Sequence, residues 1–154
     1  MGFRIVGLEA ALFADLHALT DEALEAKGAR RIRVESEHAA PCRIALDDAA
    51  VGETVILLNH THQPADTPYR QQGPIFVRET TKRANYLNAI APALARRTLS
   101  LRGFGAQHMM IEADLADGKD AAALIERFFS NPDVAYIHAH YARRGCFAAA
   151  IERA

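Results

Sequence analysis

TLSLRGFGAQHMMIEADLADGKDAAALIERFFSNPDVAYIHAHYARRGCFAAAIE, residues 98–152, is the stretch whose periodicity decides the fold. Leu99 and Leu101 fall on one side of an extended chain, and Ser100 and Arg102 on the other. Residues 98–104 and 109–114 therefore read as two strands joined by a tight turn containing Gly105. The period then changes. Ala121, Leu124, Ile125 and Phe128 recur at helical spacing, and Asn131-Pro132 ends that helix. Residues 134–141 and 146–152 return to strand periodicity around the turn Ala142-Arg143-Arg144-Gly145. The order strand, helix, strand, strand predicts an antiparallel or mixed sheet with helices on one face.

Working outward, Val55, Ile56, Leu57 and Leu58 put apolar side chains on both faces of a run at residues 54–58, which places it centrally in a sheet. Residues 59–79, NHTHQPADTPYRQQGPIFVRE, follow as a rich loop that returns to a strand at 75–78. Pro74 begins that strand where a missing donor does little harm. Arg31, Arg33 and Glu35 alternate with Ile32, Val34 and Ser36, the pattern of a half-buried strand near a sheet edge. At the amino end, residues 3–6 read as a short strand, and Leu8, Leu12, Phe13, Leu16 and Leu19 as an amphipathic helix. A second short helix is expected over 21–27, started by Thr20 and stopped by Gly28, and another from near Ala91.

The 154 residues are 50% hydrophobic and 24% charged, and 18 basic against 19 acidic residues leave a net charge of −1. Such a chain fits one domain, 1–154, with no repeat or linker. A balanced charge creates no field to gather a polyanion, so nucleic acid and anionic membrane are not expected partners. The absence of a long apolar run or signal-like amino terminus predicts a soluble cytoplasmic protein. Cys42 and Cys146 form no CxxC pair, and both are expected as free thiols.

Three constellations could carry chemistry. His60 and His62, and His138 and His140, are two apart, so each pair shares a strand face and could offer imidazole nitrogens to a metal. Arg43, Arg70, Arg78, Arg102, Arg143 and Arg144 fall at strand ends or in loops, where guanidinium forks suit a small anionic ligand. Cys146 beside a histidine and an arginine could act as a nucleophile, provided a bulged hairpin brings His140 next to it. Two other motifs fail. Gly103-Phe104-Gly105 lacks the third glycine of a dinucleotide loop, and Asp114, Asp117 and Gly118 miss the spacing of a calcium loop.

The segments PCR at 41–43, HQPADTPYR at 62–70, GPIFVRE at 73–79, and HAH with GCFAA within 138–149 resemble the bacterial proteins grouped as domain of unknown function 1203. The resemblance implies a small soluble protein and carries over no catalytic residue. His60 and Tyr141 depart from the pattern expected of that family, an aromatic and an asparagine. That leaves His62, His138 and His140 as the histidines for any metal.

The expectation is thus an α+β domain with a mostly antiparallel sheet and two or three helices on one side. Its pocket would be walled by residues 59–79, the 138–146 hairpin and Arg102. Gln63, Tyr69, Arg70, Arg78, Arg102 and Arg144 are the expected contacts to a small anion, with His62 or His140 as hydrogen-bond partner or general acid/base. No pattern names a cofactor. The alternatives are a non-catalytic interaction module, such as a homodimer presenting the proline-rich loop with Tyr69 and Phe76 as an apolar patch, and third a histidine-based metal site.

Overall fold

The structure, a computed structural model, describes residues 2–154. Among them are nine strands, β1 (Phe3–Val6), β2 (Arg30–Arg33), β3 (Thr54–Gln63), β4 (Gln71–Arg78), β5 (Asn85–Leu87), β6 (Thr98–Phe104), β7 (Met110–Asp117), β8 (Tyr136–Tyr141) and β9 (Phe147–Arg153). Three short helices complete the set, α1 (Asp21–Ala26), α2 (Pro92–Ala95) and α3 (Ala121–Ser130). The fold is α+β and mostly antiparallel, and its strands divide between two sheets. One has six strands in the order β5-β1-β9-β8-β6-β7, and the other three in the order β2-β3-β4.

The alternation along 98–152 builds the larger sheet. Leu99, Leu101, Ile137, Ala139 and Ile151 are buried on one face, where they meet Ile125, Phe128 and Phe129 of α3 and Leu94 of α2. Pairing aligns Leu99 with Tyr141, Leu101 with Ala139 and Arg102 with His138. The opposite face therefore carries Ser100, Arg102, Phe104, Tyr136, His138 and His140. A second core, with Phe13, Leu24, Ile44, Ile56, Ile75 and Val77, fills the space between the small sheet, α1 and the amino-terminal segment.

Thr20 starts α1 as expected, accepting a hydrogen bond from the Ala23 N–H at 3.2 Å. Replacing it by alanine leaves that donor uncapped, and Thr20→Ala should lower stability by about 1 kcal/mol in urea unfolding. Pro92 opens α2 at its first position, with Ala91 as the cap.

Two local expectations are corrected. Residues 8–19 form two separate 3-10 turns, Ala10–Leu12 and Ala14–Ala18, in place of one amphipathic helix. Only Phe13 of the apolar set is fully buried, and Leu12 is 62% exposed, so no continuous stripe exists to stabilise a longer helix. Tertiary bonds bend the entry as well, with Gly7 N–H donating to Ala84 O and Leu8 N–H to Arg43 O. The long loop at 59–79 is mostly strand, because β3 runs to Gln63 and β4 begins at Gln71, leaving residues 64–70 as the connection. Its polar residues suggested a loop because the surface they cover is itself polar. Among the described residues no helix is long and apolar enough to cross a membrane.

Candidate functional site: a histidine and arginine seam between the sheets

The end of the β3–β4 hairpin lies over the polar face of β6, β8 and β9. His62 stacks on Phe147 with ring centroids 4.9 Å apart, and meets His140 edge-on at 5.0 Å and His138 at 6.2 Å. The two walls expected from sequence are neighbours. A register shift in β8–β9 next to His140 sets that residue opposite Phe147, and Gly145 takes the positive φ of 78° that the turn requires.

Hydrogen bonds assign the protons. His140 Nδ1 faces the Gly145 carbonyl at 2.9 Å, so Nδ1 carries the hydrogen and donates it. Its Nε2 is then an acceptor, 3.5 Å from Nη1 of Arg102. Gln71 Oε1 accepts from the same Arg102 Nη1 at 3.2 Å, and faces His62 Nε2 at 3.2 Å. An oxygen cannot donate, so His62 Nε2 is the protonated nitrogen. Arg102 Nε donates a longer bond, 3.4 Å, to Ser100 Oγ.

Burial sets the charges. Loss of water around His138 and His140 pulls their pKa values down to about 4 and about 3, and the charge of Arg102, with repulsion from a neighbouring imidazole once that ring takes up a proton, adds to this. His62 is lowered for the same first reason. At neutral pH these three rings are uncharged. Arg102 is also drawn down by burial, from a value so high that it stays a cation. Among the described residues no carboxylate oxygen lies within 4.0 Å of its nitrogens.

Beneath residues 64–65 lies a cavity of about 330 Å³, lined by His62, Gln63, Pro64, His108, Tyr136 and His138. Gln63 Nε2 donates to the Tyr136 hydroxyl at 2.9 Å, and that hydroxyl lies 2.8 Å from His108 Nδ1. A second cavity of about 340 Å³ is bounded by His38, Asp47, Asp48 and Arg96. Its half-buried carboxylate is already occupied, since Asp48 binds Arg97 at 2.6 Å and His38 at 3.3 Å.

The structure gathers His62, His138, His140 and Arg102, with Gln63 alongside. It places the other expected residues elsewhere. Arg70 donates to the Pro64 carbonyl and closes its own loop, while Arg78 binds Asp47 at 2.7 Å. Arg144 is exposed in the β8–β9 turn. Tyr69 lies edge-on to Phe104 at 6.2 Å, and Phe76 packs against the cluster of Val34, Ala40, Ala49 and Val55. Cys146 Sγ has the Arg144 carbonyl at 3.9 Å as its hydrogen-bond partner, so the bulged hairpin does not deliver a thiol–imidazole pair. Cys42 is buried and free. Among the described residues no three His, Cys, Asp or Glu side chains converge as metal ligands.

Sequence reasoning missed Gln71, Ser100 and Phe147 as members of the seam. Ser100 was legible in part, since it alternates onto the face of Arg102. Gln71 was hidden because the segment before Pro74 read as loop.

Fold and site together define an α+β protein of two antiparallel sheets, with a seam of neutral imidazoles around one arginine between them. The chain belongs to the family described as Protein of unknown function (DUF1203), whose model matches residues 39–153 and so spans every residue of the seam. Neither the curated proteins nor the solved structures compared with the chain include a match.

Proposed function

We propose that the seam is a binding site for a small anion, held by Arg102. The observation that carries this reading is a half-buried guanidinium whose hydrogen-bond acceptors, Gln71 Oε1, His140 Nε2 and Ser100 Oγ, are all neutral and 3.2–3.5 Å away. A desolvated cation normally has a carboxylate beside it, and one without a carboxylate attracts an anionic ligand. Neutral histidines suit that role. His140 orients Arg102 through a lone pair without cancelling its charge, as aspartate or glutamate would. With its pKa near 3, His140 has no proton to give from Nε2 at neutral pH, so its part is that of an acceptor.

Thermal unfolding in the presence of phosphate, sulfate or acetate, at constant ionic strength, tests the proposal. At least one of these anions should raise the midpoint as its concentration passes its dissociation constant, and Arg102→Gln should abolish the rise. No response to any anion, or an equal response in Arg102→Gln, overturns it.

A further inference from the structure

We infer that the anion is taken up together with a proton, and that the proton comes to rest on His62. This rests on the anion reading of Arg102 and adds to it what enters the seam with the ligand.

The first argument is the bonding around the three imidazoles. His62 Nε2 and Arg102 Nη1 each lie 3.2 Å from the same oxygen, Gln71 Oε1, so the ring and the guanidinium are close neighbours. The other nitrogen of His62, Nδ1, is buried with no hydrogen-bond partner, and the His60 backbone acts on the ring in favour of its protonated form. A second hydrogen on His62 therefore keeps the bond to Gln71 and ends the isolation of Nδ1. His140 is not arranged for one. Its Nδ1–H is already on the Gly145 carbonyl, and a hydrogen on Nε2 would point at an N–H of Arg102. His138 is packed by the rings of Phe104, Tyr136 and Phe147 at 5.1–5.2 Å, which offer an added N–H neither carbonyl nor carboxylate.

The second argument is electrostatic. The groups facing His62 come from five strands: His60 on its own β3, Gln71 on β4, Arg102 on β6, His138 and His140 on β8, and Phe147 on β9. No carboxylate is among those acting on its charge. Burial first, and then the charge of Arg102, hold the ring below the ordinary histidine range, against the pull of Gln71 and the His60 backbone. An anion on Arg102 offsets that positive charge and leaves burial as the main opposition. Anion and proton then favour each other, because coupling between two bound species is reciprocal. The sign follows. A ring whose pKa rises on anion binding takes up protons as the complex forms, so affinity increases as pH falls from 7.5 to 6.

Isothermal titration calorimetry of the whole chain with sulfate and acetate, whose charges are nearly constant over that range, tests the coupling. Affinity should be about threefold or more higher at pH 6 than at pH 7.5, and two buffers of different ionisation enthalpy should reveal proton uptake at pH 6. His62→Gln should abolish both the uptake and the gain at pH 6, whatever its affinity at pH 7.5. In the unmutated protein, the ring ¹⁵N signals of His62 should titrate at higher pH with the tighter of the two anions at saturation than without it. That measurement does not depend on how the variant folds. Binding without proton uptake, a His62 titration that the anion leaves unmoved, or uptake that persists in His62→Gln each overturns the coupling. If Arg102→Gln still abolishes binding in those cases, the anion site stands. Binding of neither sulfate nor acetate removes the coupling, and the response to phosphate in thermal unfolding then decides the anion site by itself.

Discussion

Acidification from pH 7 to pH 4 is expected to cost this protein several kcal/mol of stability, most of it from the histidine seam. His138 and His140 titrate at about 4 and about 3 in the folded chain, against 6.5 when exposed, chiefly because burial strips water from the protonated form. Between those values and 6.5 the unfolded chain binds protons that the folded chain does not. The stabilisation is complete above about pH 6.5 and declines as pH falls through the window down to 4 and 3. The full contribution is on the order of 3 kcal/mol for His138 and 5 kcal/mol for His140, against a typical total of about 5–15 kcal/mol for a domain. Urea midpoints measured from pH 7.5 to pH 4 should fall steeply below pH 6.5. His138→Phe should flatten the curve, since Phe104, Tyr136 and Phe147 already surround that ring at 5.1–5.2 Å and accept an aromatic replacement. A midpoint that stays level down to pH 4 would contradict the assignment of buried neutral histidines.

Gly7→Ala is expected to be a severely damaging conservative change. Gly7 follows β1 at the point where the chain leaves the six-stranded sheet, and it donates to the Ala84 carbonyl at 3.0 Å. A Cβ there would lie 1.9 Å from the carbonyl oxygen of Ile44, a residue of the core under the small sheet. Contact distances of that kind cannot be relieved by a rotamer change, because the obstacle is backbone. The Ile44 carbonyl is itself held by the Ala84 N–H at 2.8 Å. Either the Gly7–Ala84–Ile44 junction opens or the two cores move apart, and the loss should be about 4 kcal/mol or more, enough to leave little soluble protein. Gly73→Ala is the control, since nothing lies within 4 Å of the place its added methyl would take and its φ is ordinary for an L residue. Its urea midpoint should stay within about 0.5 kcal/mol of the parent. Equal midpoints for the two variants would show that the junction is not rigid.

How much of this was legible beforehand depends on what each residue's partner is. Arg102 and Ser100 could be assigned to the face opposite Leu99 and Leu101 from alternation alone, and the structure keeps that parity. Thr20, Pro92 and the end of α3 before Pro132 were equally legible, because caps and proline act within a few residues of themselves. The extension of β3 through His60, His62 and Gln63 was not. A strand that covers a polar face needs no apolar alternation, so its residues resemble those of a loop. The convergence of arginines failed for a similar reason. Arg70, Arg78 and Arg102 are alike in sequence, and only their nearest acceptors, the Pro64 carbonyl, Asp47 and Gln71, tell them apart.

What the amino-acid order determined by itself is the set of local structures and their faces: the alternating strands at 98–104 and 134–141, the α3 helix between them, and the pairing of His138 with His140 on one side. Only the tertiary structure decided that the strands form two sheets and that His62 lies over His140 and Phe147. Periodicity states which side chains share a face but not what covers it, and hydrophobic patterning is silent where the covering surface is made of histidine, arginine and glutamine.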